Sequence, residues 1–196
     1  MLDASAVRER LAALVQPDGG WGYKPGQAMH LEPTCLALLA LSAEPEKYSS
    51  IIANGFRALE ACRQADGSYR LPRGRPQAVW MTALVLFTRQ ILQHELQSLR
   101  ATIAFLLAVE GRVVKADAEV ADVQDIDLGL VGWPWAEANF SWVEPTCWAC
   151  IALRSVGEGH HPRVHEGMKL LLDRAFDTGG VNVGSGSIPI AARRSE

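Results

Sequence analysis

At 196 residues the chain suits one ordinary domain with a real core, and 48% apolar against 21% charged residues marks it as globular, not disordered. A net charge of −3 without a lysine or arginine cluster gives no footprint for nucleic acid or for an anionic membrane surface. No run of about 18 apolar residues suggests a transmembrane segment. Met1-Leu2-Asp3-Ala4-Ser5 lacks the marks of a signal peptide, and four cysteines in apolar settings fit a reduced, cytoplasmic protein.

The first predicted element is an amphipathic helix, with Val7, Leu11 and Leu14 at helical spacing and Arg8, Glu9 and Arg10 between them. Asp18-Gly19-Gly20 breaks it, because glycine permits positive φ. Thr34 to Leu41 is apolar almost throughout and too short to span a membrane, which predicts an inner helix. Pro33 is expected at its first position, with Glu32 just outside, near the positive end of the helix dipole.

The alternation then returns. Gln64-Ala65-Asp66-Gly67-Ser68-Tyr69 forms a second turn, and Ala78 to Phe87 a second inner helix. Leu96, Leu99, Ile103 and Leu106 give the next outer helix, followed by a charged stretch from Gly111 to Asp127. Gly132-Trp133-Pro134-Trp135 and Glu144-Pro145-Thr146-Cys147 then lead into an inner helix over Thr146 to Leu153. The last outer helix runs from about Pro162 to Phe176, with an expected apolar stripe of Val164, Met168, Leu171 and Ala175.

These elements are copies. Gly20-Trp21-Gly22-Tyr23 with Glu32-Pro33-Thr34-Cys35 recurs 112 residues later in both halves, an internal repeat. Weaker copies at shifts of 48 and 160 resolve steps of 48, 64 and 48, with an insertion of 16 placed in Gly111 to Asp127. The units are about 5–43, 51–90, 96–156 and 162–196 of a single domain. The fold class follows: all-α, a partial α/α toroid of outer–inner helix hairpins, with about seven main helices. The fourth unit would start its inner helix near Arg194, so truncation or a frameshift is expected there. A missing C-terminal segment or self-association would follow, with an exposed apolar face and a poorly ordered tail.

Gln16-Pro17-Asp18-Gly19-Gly20-Trp21 and the Gln64 to Tyr69 segment resemble the glutamine–tryptophan repeats of the squalene–hopene cyclase and protein prenyltransferase superfamily. The Gly-Trp-x-aromatic and Glu-Pro-Thr phrases look still more like small bacterial prenyltransferase or squalene oxidase repeat proteins. The resemblance implies a terpenoid cyclase-like toroid with a concave, aromatic-lined apolar face for a polyisoprenoid-like or other hydrophobic small molecule. Two departures matter. The cyclase Asp-x-Asp-Asp motif is met only by Asp125-Ile126-Asp127-Leu128, which lacks one aspartate, and no zinc setting of the prenyltransferase kind is present.

Asp125 and Asp127 are thus the candidates for a catalytic acid. Neither is expected to act as one, since they lie in a charged insertion with Asp117, Glu119 and Asp122. Tyr23, Glu32, Trp135, Trp142 and Glu144 are the candidate ligand-binding residues. Gln16, Gly20, Trp21, Gly132 and Trp133 are structural repeat positions. Cys147 and Cys150 with His160, His161 and His165 invite a zinc reading, but Cys147 is the repeat partner of Cys35, which has no such neighbours. No metal and no cofactor is expected. Two functions stay open: a toroid domain that is not a complete catalyst by itself, and a non-catalytic helical scaffold for protein–protein interaction.

Overall fold

A computed structural model describes residues 3–71, 76–113 and 127–181. Among them are seven α-helices and a 3-10 turn, with isolated bridges in place of any strand. In chain order these are α1 (Ala4–Ala13), α2 (Leu31–Leu41), α3 (Ser49–Glu60) and α4 (Met81–Ile91), then the 3-10 turn Leu96–Leu99 leading into α5 (Arg100–Ala108), then α6 (Val143–Ser155) and α7 (Pro162–Asp173). They fall into two compact units, Met1–Ala108 and Val109–Glu196. The last expected element, the tail after Val181, lies outside the described residues, as does Asp125.

In the first unit α2 and α4 pack on each other, α1 and α3 lie against α2, and α5 lies against α4. The outer helices α3 and α7 are clearly amphipathic. On α3, Gly55, Phe56, Ala58 and Leu59 are buried while Asn54, Arg57 and Glu60 face water. In the second unit α6 packs on α7. Here His161 caps α7 by accepting the Arg163 N–H at Nδ1, 3.2 Å away, and Pro162 takes the first helical position.

Three expectations from periodicity change. The Val7–Leu14 stripe of α1 is not buried: Val7 is 50% exposed and Leu14 37%. Polar ties hold α1 instead. Arg8 pairs with Glu44 at 2.5 Å, Lys47 with Glu9 at 2.8 Å, and Trp21 Nε1 donates to Leu11 O at 2.8 Å. On α7 the contact line is Val164, Gly167 and Leu170, which leaves Met168 exposed. Gly167 sets that rotation, because only a bare Cα lets the helix settle on the Trp133 ring. Finally, the inner helices are not buried all round: Leu36 on α2 and Ile151 on α6 are 45% and 46% exposed.

Candidate functional site

One clasp recurs in the turn that follows each outer helix. In the first, the Gln16 N–H donates to Gly20 O at 2.8 Å and the Gly19 N–H to Gln16 O at 2.9 Å. Gly19 has φ +92°, a conformation that costs glycine little. The Gln16 side-chain amide donates to Leu14 O at 3.2 Å, and Asp18 Oδ1 accepts the Gly20 N–H at 3.1 Å. Gln64, Asp66, Gly67 and Ser68 reproduce these bonds in the second turn. The fourth keeps the backbone part, with Phe176 N–H donating to Gly180 O at 3.0 Å. In the third the closing bond runs from Gly111 N–H to Gly132 O at 3.0 Å, so the inserted residues leave and rejoin the repeat between those two glycines.

A threonine ties each turn to its inner helix. Oγ1 of Thr34, Thr82 and Thr146 accepts the backbone N–H of Trp21, Tyr69 and Trp133 at 2.9, 3.0 and 2.9 Å. All three threonines are fully buried, so each satisfies a buried donor that has no water to turn to. The sequence displays these threonines as copies without showing their role. The signal available was their constant separation of 13 residues from the aromatic. Gly20 and Gly132 must be small because the threonine hydroxyl occupies the place of a Cβ. Trp21 and Trp133, 3% and 2% exposed, are core residues of the turn. Over the Trp133 face sits the Arg163 guanidinium, 4.5 Å from the ring centroid, which also donates to Val109 O at 3.0 Å and Gly132 O at 3.2 Å.

The candidate ligand-binding residues separate into two places. In the first unit Tyr23, 59% exposed, donates its hydroxyl to Glu32 Oε2. Its ring lies 4.7 Å from that of His30, the residue that caps α2 in an extended conformation. Burial holds the His30 pKa below its ordinary value, with the Glu32 charge opposing. His30 is missing from the sequence-based candidates because no histidine recurs at its repeat position. Trp142 stands there in the second unit. The Trp142 N–H donates to Trp133 O at 3.1 Å, as the His30 N–H donates to Trp21 O at 2.8 Å. Phe140 stacks on Trp142 at 5.8 Å, Trp135 is half-buried, and Glu144 is exposed.

Both glutamates lie inside their helices, not before them. α2 begins at Leu31 and α6 at Val143, so Glu32 and Glu144 are second residues and Pro33 and Pro145 third, not first. A proline is tolerated anywhere in the first turn, since those N–H groups have no partner within the helix. The carboxylates still sit at the favourable end of the dipole.

Asp127 is exposed; its Oδ1 accepts the Gly129 N–H at 2.8 Å, and its own N–H points to Asp173. Burial raises the pKa of the Cys147 thiol and pushes that of Cys150 to about 11, which keeps both as thiols at neutral pH. Among the described residues no three histidine, cysteine or acidic side chains converge as a metal set. No helix among them is long and apolar enough to cross a membrane.

Two of the three inner helices leave one line of side chains uncovered. On α2 it is Glu32, Leu36, Leu39 and Ala40; on α6 it is Glu144, Trp148 and Ile151. α4 lacks a continuous line: Trp80, holding the place of the glutamate, and Phe87 are part-exposed and Ile91 is exposed, but Leu84, the counterpart of Leu36, is buried. On α2 and α6 the spacing of four, then three, keeps each line on one helical face. On these two an otherwise buried inner helix thus presents an apolar face headed by a carboxylate.

Comparison with known proteins agrees with this architecture. Residues 2–182 match the model of the prenyltransferase alpha-alpha toroid domain. A squalene–hopene cyclase of Bradyrhizobium diazoefficiens is 25% identical over 188 residues, covering 84% of this chain and 27% of that enzyme. The chain therefore spans about a quarter of the curated relative it matches. With the repeated clasps and the alternation of outer and inner helices, the match over 2–182 places this all-α chain in the prenyltransferase α/α toroid domain family.

Proposed function

We propose that this domain binds a polyisoprenoid-like or similarly elongated apolar molecule along the uncovered face of an inner helix, within one unit, and that it is not a complete terpenoid cyclase or prenyltransferase by itself. The observation that carries the reading is the open apolar line on α2 and on α6. Leu36 and Ile151, in otherwise buried helices, are nearly half exposed. Apolar side chains left open on core helices gain from a ligand that removes them from water. Tyr23, Glu32, Trp135, Trp142 and Glu144 flank the starts of these two faces. Four repeat units, 5–43, 51–90, 96–156 and 162–196, belong to the same reading, which the clasp in the described turns supports, as does a cytoplasmic location, which the composition supports. Asp127, exposed and engaged with Gly129, is a poor setting for an acid strong enough to protonate an alkene.

The test is binding of farnesol, read by tryptophan fluorescence, to the wild type and to Leu36→Glu and Ile151→Glu. Saturable binding weakened by either substitution, with the helical signal unchanged, supports the reading. Wild-type affinity in both variants refutes it, and turnover of squalene by the isolated chain refutes the non-catalytic part. The second reading, a scaffold for a protein partner, draws on the outer helix α7, where Leu172 is 71% exposed.

A further inference from the structure

Both open lines begin with a carboxylate, and a plain hydrocarbon has no use for one. On α2, Glu32 leads to Leu36 and Ala40, a run of about 12 Å at the rise of an α-helix. The carboxylate is held by the Tyr23 hydroxyl and flanked by the His30 ring. On α6, Glu144 leads to Trp148 and Ile151, with the stacked Phe140 and Trp142 just before the helix. At the same place on α4, where the carboxylate is absent, an aromatic ring, Trp80, stands in its stead. Anionic oxygen and aromatic ring faces share a preference: both attract a cation. His30 reinforces this choice, since its burial favours the uncharged ring and so adds no positive charge beside Glu32.

We propose that the ligand of these faces is a cationic amphiphile, an ammonium head on an apolar chain, with the head at Glu32 or Glu144 and the chain along the helix. This rests on the ligand-face reading above and adds the charge of the head. The complementarity is local: on α2 the one charged group within the open line is the carboxylate that starts it, and on α6 Glu144 starts a line whose next groups, Trp148 and Ile151, are apolar, with the exposed Arg154 only at its far end, three residues past Ile151. A primary amine is protonated at neutral pH, with an ordinary pKa near about 10.4. It can donate to the carboxylate while lying against a ring.

The probes are dodecylamine, dodecanol and dodecanoate, each below its micelle concentration, titrated into the intact chain with tryptophan fluorescence as the readout. Dodecylamine is expected to bind about tenfold tighter than dodecanol, the scale of one hydrogen bond to a charged group, and dodecanoate weakest. Glu32→Gln with Glu144→Gln should erase the preference for amine and leave dodecanol affinity unchanged. Matching thermal melts of variant and wild type confirm that the fold is kept. Equal binding of amine and alcohol, or a preference that survives the double variant, overturns the cationic head while the apolar face stands. Absence of binding by all three probes overturns both. So does sedimentation as a dimer that Leu36→Glu disperses, which assigns the face to a second copy.

Discussion

Gly167 on α7 is the most exacting position in the second unit, and replacing it with alanine sets two effects against each other. A Cβ there would stand 2.6 Å from Trp133 Cζ3, 3.0 Å from Cys150 Sγ and 3.2 Å from Thr146 Cγ2. None of these is the loose end of an exposed chain: Trp133 and Cys150 are each 2% exposed and Thr146 is fully buried. Helix propensity favours alanine over glycine by about 1 kcal/mol. Overpacking a closed core costs about 1–3 kcal/mol. At 2.6 Å from a buried ring the cost falls in the upper part of that range, about 2–3 kcal/mol, so Gly167→Ala should lose about 1–2 kcal/mol net, a fall of roughly 2–8 °C in Tm for a chain of this size. Gly55→Ala, its repeat partner on α3, meets the flexible Leu38 Cδ2 at 2.7 Å and Trp21 Cζ3 at 3.3 Å, and should cost less. Trp133→Phe removes the ring atoms nearest Gly167. The pair Gly167→Ala with Trp133→Phe should therefore show a favourable coupling above about 0.5 kcal/mol in a double-mutant cycle. Urea titration followed by far-UV circular dichroism measures all four corners. A Gly167→Ala variant at least as stable as the wild type would refute the argument.

Four more outcomes follow from the same structure. Thr146→Val should lose about 1–3 kcal/mol in urea titration, because the Trp133 N–H is left buried without an acceptor, while Thr146→Ser keeps the bond and loses less. Arg89 is fully buried on α4, paired with Glu60 at 2.5 Å and Glu95 at 3.0 Å, at a repeat position held by Leu41 and Leu153 elsewhere. Arg89→Leu should thus be neutral or stabilising in a thermal melt, whereas Glu60→Ala with Glu95→Ala strands the charge and should cost about 3–5 kcal/mol. Burial lowers the folded-state pKa of His30 and of His94, the latter also pushed down by Arg89. Below about pH 6.5 the unfolded chain takes up protons that the folded one refuses. Stability is complete above that pH and falls as the pH drops towards the lowered folded values. Asparagine at both positions should flatten that slope in melts across the range. Finally, burial pushes the Cys35 thiol to about 12, so a thiol reagent at mildly alkaline pH should reach the half-buried Cys147 first and Cys35 only on unfolding, as timed mass spectrometry would show.

The helices and their order were legible because the signals were local and repeated. Val143–Ser155 could be read from Leu31–Leu41 by the 112-residue shift. The faces were less legible. Periodicity marks which side of a helix is apolar but not where the neighbour sits, and on α7 the neighbour is fixed by one glycine against one tryptophan. The Val164, Met168, Leu171 and Ala175 stripe was a fair reading of hydrophobicity, yet the helix turned to the side where it could approach more closely. α1 shows the converse. Its stripe is real, but ion pairs and an indole hydrogen bond hold the helix in place, and charge pairs 36 and 38 residues apart leave no periodic trace.

The same distinction governs the candidate site. Tyr23 and Glu32 were singled out from composition and spacing, and they do meet. His30 was missed because a histidine in one copy and a tryptophan in the other do not look alike, although both begin an inner helix with the same extended backbone. Repeat equivalence is structural before it is chemical: the fold preserves a position, and each copy is free to fill it. Read that way, Glu32, Trp80 and Glu144 are one position filled twice by a carboxylate and once by an indole, while the apolar line behind it is open on α2 and α6 and interrupted on α4 by the buried Leu84. The apolar character is what every copy keeps, and both the opening of the face and the residue at its head are what the copies can vary. Trp80→Glu should then add a third carboxylate at the head of α4, with its charge at the helix N-terminus. The expected result is tighter binding of dodecylamine with dodecanol unaffected. A variant in which both ligands weaken together would show instead that Trp80 packs as part of the core and that the three positions do not share one role.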